Sequence, residues 1–146
     1  LELITRGKTS YLYKDFAHSP SKVIATVKAV KNQFKNYKIT ICLELHTYSS
    51  LNVNFIKEYA NTLDDADDAI IYYDPKALKI KNRNPLDSEL IKEAFANKNI
   101  EVFTSGNSLN SNLFRREYTN TILIMMSSGN FGDLNWDNLK NHILLF

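Results

Sequence analysis

The sequence predicts an α/β fold of Rossmann-like type: a mostly parallel sheet of five to six strands with helices on both faces. Three observations predict it. Short apolar runs alternate with segments of helical periodicity, a β-α order repeated five times. Some of those runs carry few charges on either side, as strands covered on both faces must. Gly and Pro are scarce, 4 and 3 in 146 residues, so no linker is marked and 1–146 reads as a single domain. Alternation of this kind implies right-handed βαβ crossovers and a parallel sheet.

The elements follow in order. Tyr11 to Tyr13 lie in a short strand ending at Asp15. Ser19-Pro20 reads as N-cap and first turn of a helix, with the Ser hydroxyl accepting from free N–H groups. Val23, Val27, Val30 and Phe34 recur at helical spacing, while Lys22, Lys28, Lys31 and Lys35 take much of the other surface. In "KITICLEL", 38–45, Ile39, Ile41, Leu43 and Leu45 share one face, with Thr40 and Cys42 on the other. Phe55, Ile56, Tyr59, Ala60 and Leu63 predict the second helix, and "AIIYYD", 69–74, the next strand. Asp87 can cap a third helix carrying Leu90, Ile91, Ala94 and Phe95. "IEVFTS", 100–105, is a strand, and Leu109, Leu113 and Phe114 suggest a short helix. "TILIMMS", 121–127, is the most apolar strand, and "NWDNLKNHILLF" closes the chain as a helix. Ile39, Ile41, Ile70, Val102, Leu123 and Met125 are expected in the core of the sheet.

Composition narrows the function. The net charge is +2, from 18 basic and 16 acidic side chains, which argues for neither nucleic acid nor a membrane surface as partner. No apolar stretch approaches the roughly 20 residues of a membrane-spanning helix. The one cysteine, Cys42, sits in an apolar run and reads as a buried structural thiol, which suits a reducing compartment. The chain begins Leu1-Glu2-Leu3-Ile4 without an initiator Met, through processing or because it is a piece of something longer.

In open α/β sheets ligands lie beyond the carboxyl ends of the strands. The polar clusters of this chain follow its strands: Asp15 to His18, 44–50, Asp74-Pro75-Lys76, Ser105-Gly106-Asn107 and Ser127-Ser128-Gly129-Asn130. Asp15 and His18 flank a helix N-terminus, where a phosphate or ribose diol is a plausible partner. The plainer reading is a turn whose aspartate bonds loop amides. His46, Tyr48, Ser49 and Ser50 put four hydrogen-bonding groups in five residues, or else form a polar loop that caps the next helix. Lys76, Lys79, Lys81 and Arg83 could attract a carboxylate-rich ligand, although charge runs usually mark solvated loop. His142 is given no role.

"RGKTS", 6–10, contains the Gly-Lys-Thr tail of a phosphate loop, but no strand precedes it and the first Gly of that motif is missing. No GxGxxG dinucleotide fingerprint, metal-spaced His/Cys cluster or Ser-His-Asp constellation occurs in the sequence.

Asp15-Phe16-Ala17-His18-Ser19-Pro20, followed by a lysine-bearing helix, resembles the D-[YF]-A-H-x-P signature that opens the C-terminal domain of the Mur ligases, the ATP-dependent amide ligases of peptidoglycan synthesis. "ELHTYSS", 44–50, and "LDDADDAIIYYDP", 63–75, are similar to passages of the family's alanine-adding branch. "MSSGNFG", 126–132, resembles the closing loop of that branch's murein-recycling member. The resemblance spans nearly the whole chain in the right order.

It implies a C-terminal fragment of a three-domain bacterial cytoplasmic enzyme, with the UDP-sugar domain and the P-loop ATPase domain lying upstream. The reaction it implies uses ATP to phosphorylate the lactyl carboxylate of UDP-N-acetylmuramate. An amine, from L-Ala-γ-D-Glu-meso-diaminopimelate or from L-alanine, then attacks the acyl phosphate. Mg²⁺ would sit mainly on the central domain, and the fragment alone would be inactive. Carried over residue by residue, Asp15 would hold ATP through the ribose and His18 would lie near the phosphates or the closing interface. His46, with Tyr48, Ser49 and Ser50, would face the amine substrate, and Ser127, Ser128 and Asn130 are weaker substrate candidates. The alanine-adding branch carries H-R-[YF]-[ST]-R in the loop at 46–50, where this chain has Thr47 and Ser50 in place of the arginines. A bidentate carboxylate clamp is therefore missing, which favours the tripeptide over L-alanine. The other readings are a stand-alone α/β ligand-binding or receiver-like module and a dehydrogenase-like nucleotide domain.

Overall fold

The computed structural model describes residues 1–47, 49–76 and 86–146. Tyr48, Lys79, Lys81 and Arg83, singled out above, lie outside the described residues. The strands are β1 (Glu2–Arg6), β2 (Ser10–Asp15), β3 (Lys38–Glu44), β4 (Asp68–Tyr72), β5 (Glu101–Phe103) and β6 (Thr121–Met126). The helices are α1 (Pro20–Gln33), α2 (Ser88–Ala94), α3 (Gly106–Arg115) and α4 (Trp136–Ile143), with a 3-10 turn at Phe55–Tyr59.

The sheet order is β1-β2-β6-β3-β4-β5, and only β1 runs antiparallel, to β2. The α/β class and the mostly parallel sheet expected from the sequence are therefore present. Each face buries its own apolar cluster. Val23, Val27 and Val30 of α1, with Ile91 and Ala94 of α2, cover Ile39, Ile41, Ile71 and Ile124. Leu109 and Leu113 of α3, with Leu139 and Ile143 of α4, cover Leu12, Cys42, Ile70, Leu123 and Met125. This side-to-side division within β3 follows from the period of two along a strand. Cys42 is fully buried, and burial pushes its thiol up, out of the range in which a thiolate forms readily. Among the described residues no helix is long and apolar enough to cross a membrane.

Three expectations need correction. β1 is an edge strand that the sequence reading passed over, because its five residues are mostly exposed and show no alternation. It explains the Gly-Lys-Thr segment, which is the tight turn joining β1 to β2: Gly7 N–H donates to Ser10 O at 2.9 Å. The helix expected over 55–63 is a five-residue 3-10 turn. Ile56, Tyr59 and Leu63 are buried as their spacing required, but Ala60 turns to ψ 128° and Asn61 enters the left-handed region at φ 62°, which stops the helix. Val102 is half-buried, because β5 is the outer edge of the sheet.

The consequence for function is positional. β6 lies between β2 and β3, with Asp15 paired to Met126 and Met126 to Leu43. The loops that leave β2, β6 and β3 are thus neighbours along one carboxyl edge.

Candidate functional site at the carboxyl edge

The first corner is built from β2. Asp15 ends that strand, and its Oδ1 accepts from Ala17 N–H at 2.6 Å, an aspartate turn of the plainer kind. Its Oδ2 lies 3.3 Å from the amino nitrogen of Leu1. His18 Nδ1 lies 2.8 Å from Phe16 O, and Tyr59 Oη donates to His18 O from the far side of α1's first turn. Burial pushes the Tyr59 phenol up to about 12, so it stays a donor across the physiological range. Ser19 occupies the N-cap position in extended backbone with Pro20 following, as expected, but its hydroxyl makes no capping bond. The N–H groups that open α1 therefore lack the side-chain acceptor that the sequence suggested. Beside them lies a cleft of about 270 Å³ lined by Asp15, Phe16, Ala17, Lys22, Ala25 and Thr26. Phe16 is two-thirds exposed there, and its ring meets that of His18 edge-on.

The second corner joins β3 and β6. Its centre is Glu44, which the sequence reading placed in a polar cluster without a role. The side chain is 4% exposed. Its Oε2 accepts from the Ser127 hydroxyl and from Phe131 N–H, the latter at 3.1 Å. Ser127 Oγ in turn accepts from Gly129 N–H at 2.6 Å, and Ser127 N–H donates to Asp15 O at 3.0 Å. The last bond ties the two corners together. His46 is half exposed, with Nδ1 3.8 Å from Glu44 Oε1. Gly129 has no room for a side chain, since a Cβ there would lie 2.7 Å from Glu44 Oε2 and 2.8 Å from His46 Nδ1.

The loop beyond is held in an uncommon shape. Phe131, Gly132 and Asp133 have φ of 56°, 62° and 63°, three successive left-handed residues. The fully buried Phe131 ring packs edge-on to Trp136, and Asn130 Nδ2 donates to Asp133 Oδ1 at 3.0 Å. Tyr72 reaches this loop from β4. Burial, then the charges of Asp74, Glu44 and Asp133, raise its phenol pKa.

The sequence candidates separate as follows. Asp15 and His18 share the first corner. His46, Ser127 and Asn130 share the second, with Asn130 exposed and the Ser127 hydroxyl taken up by Glu44 and Gly129. Ser50 is buried, bonded through its hydroxyl to Thr47 O at 2.8 Å, while Ser49 is exposed. Thr47 Oγ1 donates to Ser50 Oγ at 2.9 Å, so the two residues that depart from the alanine-adding pattern satisfy one another. The described residues include no group of three or more His, Cys, Asp and Glu side chains placed to hold a metal ion.

No family model matches the chain. Over 60 residues it is 33% identical to the UDP-N-acetylmuramate–L-alanine ligase of Brachyspira hyodysenteriae, covering 41% of this chain and 13% of that protein. The chain is thus much shorter than this relative. A solved structure of a domain ascribed to a UDP-N-acetylmuramate:L-alanyl-γ-D-glutamyl-meso-diaminopimelate ligase of Haemophilus ducreyi superposes with a TM-score of 0.67 at 21% identity, covering 99% of this chain and 97% of that one. The murein peptide ligase of Psychrobacter arcticus superposes with a TM-score of 0.74 at 20% identity, covering 99% of this chain and 30% of that one. The chain has the fold of a Mur ligase C-terminal domain, the family that its sequence motifs resemble.

Proposed function

We propose that residues 1–146 form the C-terminal domain of a bacterial, cytoplasmic, ATP-dependent amide ligase that joins UDP-N-acetylmuramate to an amine substrate in peptidoglycan synthesis or recycling. The observation that carries this reading is the juxtaposition of the two corners. The Asp15 corner and the His46 corner lie on one carboxyl edge, bridged by Ser127. A ligase needs such an arrangement, because the nucleotide and the attacking amine must meet at one carboxylate.

In this reading ATP enters the Asp15 cleft. The adenosine moiety has an exposed Phe16 ring to rest on, and the ribose hydroxyls have the Asp15 carboxylate. Lys22 lines that cleft and the N–H groups opening α1 have no side-chain cap, and both favour phosphate charge. ATP phosphorylates the lactyl carboxylate of UDP-N-acetylmuramate, releasing ADP, and the amine held near His46 and Asn130 then displaces phosphate from the acyl phosphate to leave the amide. The P-loop lysine and the ligands of Mg²⁺ would come from an upstream domain. The amine substrate is L-Ala-γ-D-Glu-meso-diaminopimelate in preference to L-alanine, since Thr47 and Ser50 supply no guanidinium for an amino-acid carboxylate.

Coupled ADP release by the full-length protein tests this. ADP should appear only when ATP, UDP-N-acetylmuramate and an amine are all present, and faster with the tripeptide than with L-alanine. Nucleotide binding without amine-dependent ADP release would instead favour a stand-alone ligand-binding module.

A further inference from the structure

We infer that Glu44 is a positioning residue for the amine side of the edge: one buried carboxylate that sets the 127–133 loop and the His46 side chain together. The inference rests on the ligase reading for its substrate, and on this chain's own geometry for the rest.

An ionised carboxylate has two oxygens with about four acceptor sites. Glu44 divides them. Oε2 takes two donors from the loop, the Ser127 hydroxyl and the Phe131 amide, across 83 and 87 positions of sequence. These bonds fall at the start and the middle of the segment whose residues 131–133 are all left-handed. A backbone in that state persists only where its surroundings hold it. Glu44 is the charged group that does so, and a charge-assisted bond from a buried carboxylate is stronger than a neutral one. Oε1 makes no hydrogen bond among the described residues and faces His46 Nδ1 at 3.8 Å. With Nδ1 turned to the carboxylate, Nε2 is the ring nitrogen left for substrate. Gly129 packs against both groups, and a Cβ there would force the Glu44 or the His46 side chain to shift.

Two substitutions in the full-length protein separate the two oxygens. Glu44→Ala removes the latch. Hydrogen exchange in peptides covering 127–133 should quicken about tenfold or more, while peptides covering β3 and β6 keep their protection. Glu44→Gln can turn its carbonyl to Ser127 and Phe131, so the loop should stay protected, but the charge facing His46 is lost. KM for the amine substrate should then rise about tenfold, with KM for ATP unchanged. Unchanged exchange over 127–133 in Glu44→Ala overturns the latch. Equal rises in both KM values for Glu44→Gln overturn the positioning role. Should the protein release no ADP with any amine, the ligase reading falls, and the exchange experiment still decides whether Glu44 holds the loop. If Glu44→Ala does not fold, Ser127→Ala takes its place, and it should loosen the same peptides while leaving the Glu44 charge on His46.

Discussion

The two corners of the carboxyl edge solve the same problem by different means. At the Asp15 corner the side chains of the two candidate residues bond locally: Asp15 to a residue two positions on, and His18 to a residue two positions back. At the Glu44 corner the bonds run across the sheet, between residues more than eighty positions apart. A local turn can be rebuilt after a single substitution, because its donors and acceptors are neighbours in sequence and the corner opens to solvent through the cleft beside the exposed Phe16. A buried carboxylate cannot, because removing one partner leaves the other desolvated and unpaired. The first corner is therefore suited to admitting a ligand that replaces water. The second is suited to holding a shape.

That contrast can be broken by substitution, and the largest effect is expected at the second corner. Gly132 has φ 62°, and a Cβ there would sit 2.9 Å from Tyr72 Cζ and 3.2 Å from Gly106 Cα. Gly132→Ala adds left-handed strain to a clash with a buried ring, and should cost about 3 kcal/mol in denaturant unfolding. A cost under about 1 kcal/mol would mean that this loop yields easily.

A smaller effect is expected beneath the first corner. Tyr59→Phe removes the hydrogen bond to His18 O and should cost about 1 kcal/mol at neutral pH. The pH dependence has a definite sign. The folded phenol is raised to about 12, above the unfolded value near 10, so its contribution is complete below pH ~10 and is lost as pH rises toward the folded value. Unfolding free energies at pH 8 and pH 11 should show the gap between the protein and Tyr59→Phe closing at the higher pH. A gap that widens would contradict the assignment.

The smallest effect is expected at Ser19. Its hydroxyl makes no cap bond, so Ser19→Ala should change stability by no more than about 0.5 kcal/mol. Asp87→Ala is its counterpart. That aspartate does cap, accepting from Leu90 N–H at 2.8 Å, and its loss should cost about 1 kcal/mol. Equal costs at the two positions would show that Ser19 caps α1 in solution.

These residues also show what could be seen in the sequence. The strands at 38–45 and 121–127 declared themselves because both faces are covered, which demands apolar residues at consecutive positions. Asp87 was legible as a cap because a cap is a local device. That Asp15 and His18 share one corner was legible because they are three positions apart. β1 was not, since an exposed edge strand needs no pattern. The 3-10 turn was mistaken for a helix because Ile56, Tyr59 and Leu63 bury the same face in either form. Glu44 was passed over for a deeper reason: its partners are brought to it by β6 entering between β2 and β3, a fact of topology. The signal that could have found it was an acid between Leu43 and Leu45, in a run otherwise free of charge from Ile39 onward.

In the proposed function one edge carries two substrates, ATP at Asp15 and the amine at His46. The direct test measures KM for both in Asp15→Asn and in His46→Ala versions of the full-length protein. Asp15→Asn can keep its bond to Ala17 N–H through the amide oxygen, so the fold is spared while the charge on the ribose is lost. A charge-assisted bond of about 1.5–3 kcal/mol corresponds to a loss of roughly 10- to 150-fold in kcat/KM for ATP, with KM for the amine unmoved. His46→Ala should do the reverse. A crossed pair of this kind is expected if the two substrates bind at separate corners. If both substitutions weaken the same substrate, or if neither moves a Michaelis constant while both proteins remain folded, the edge is not divided as described.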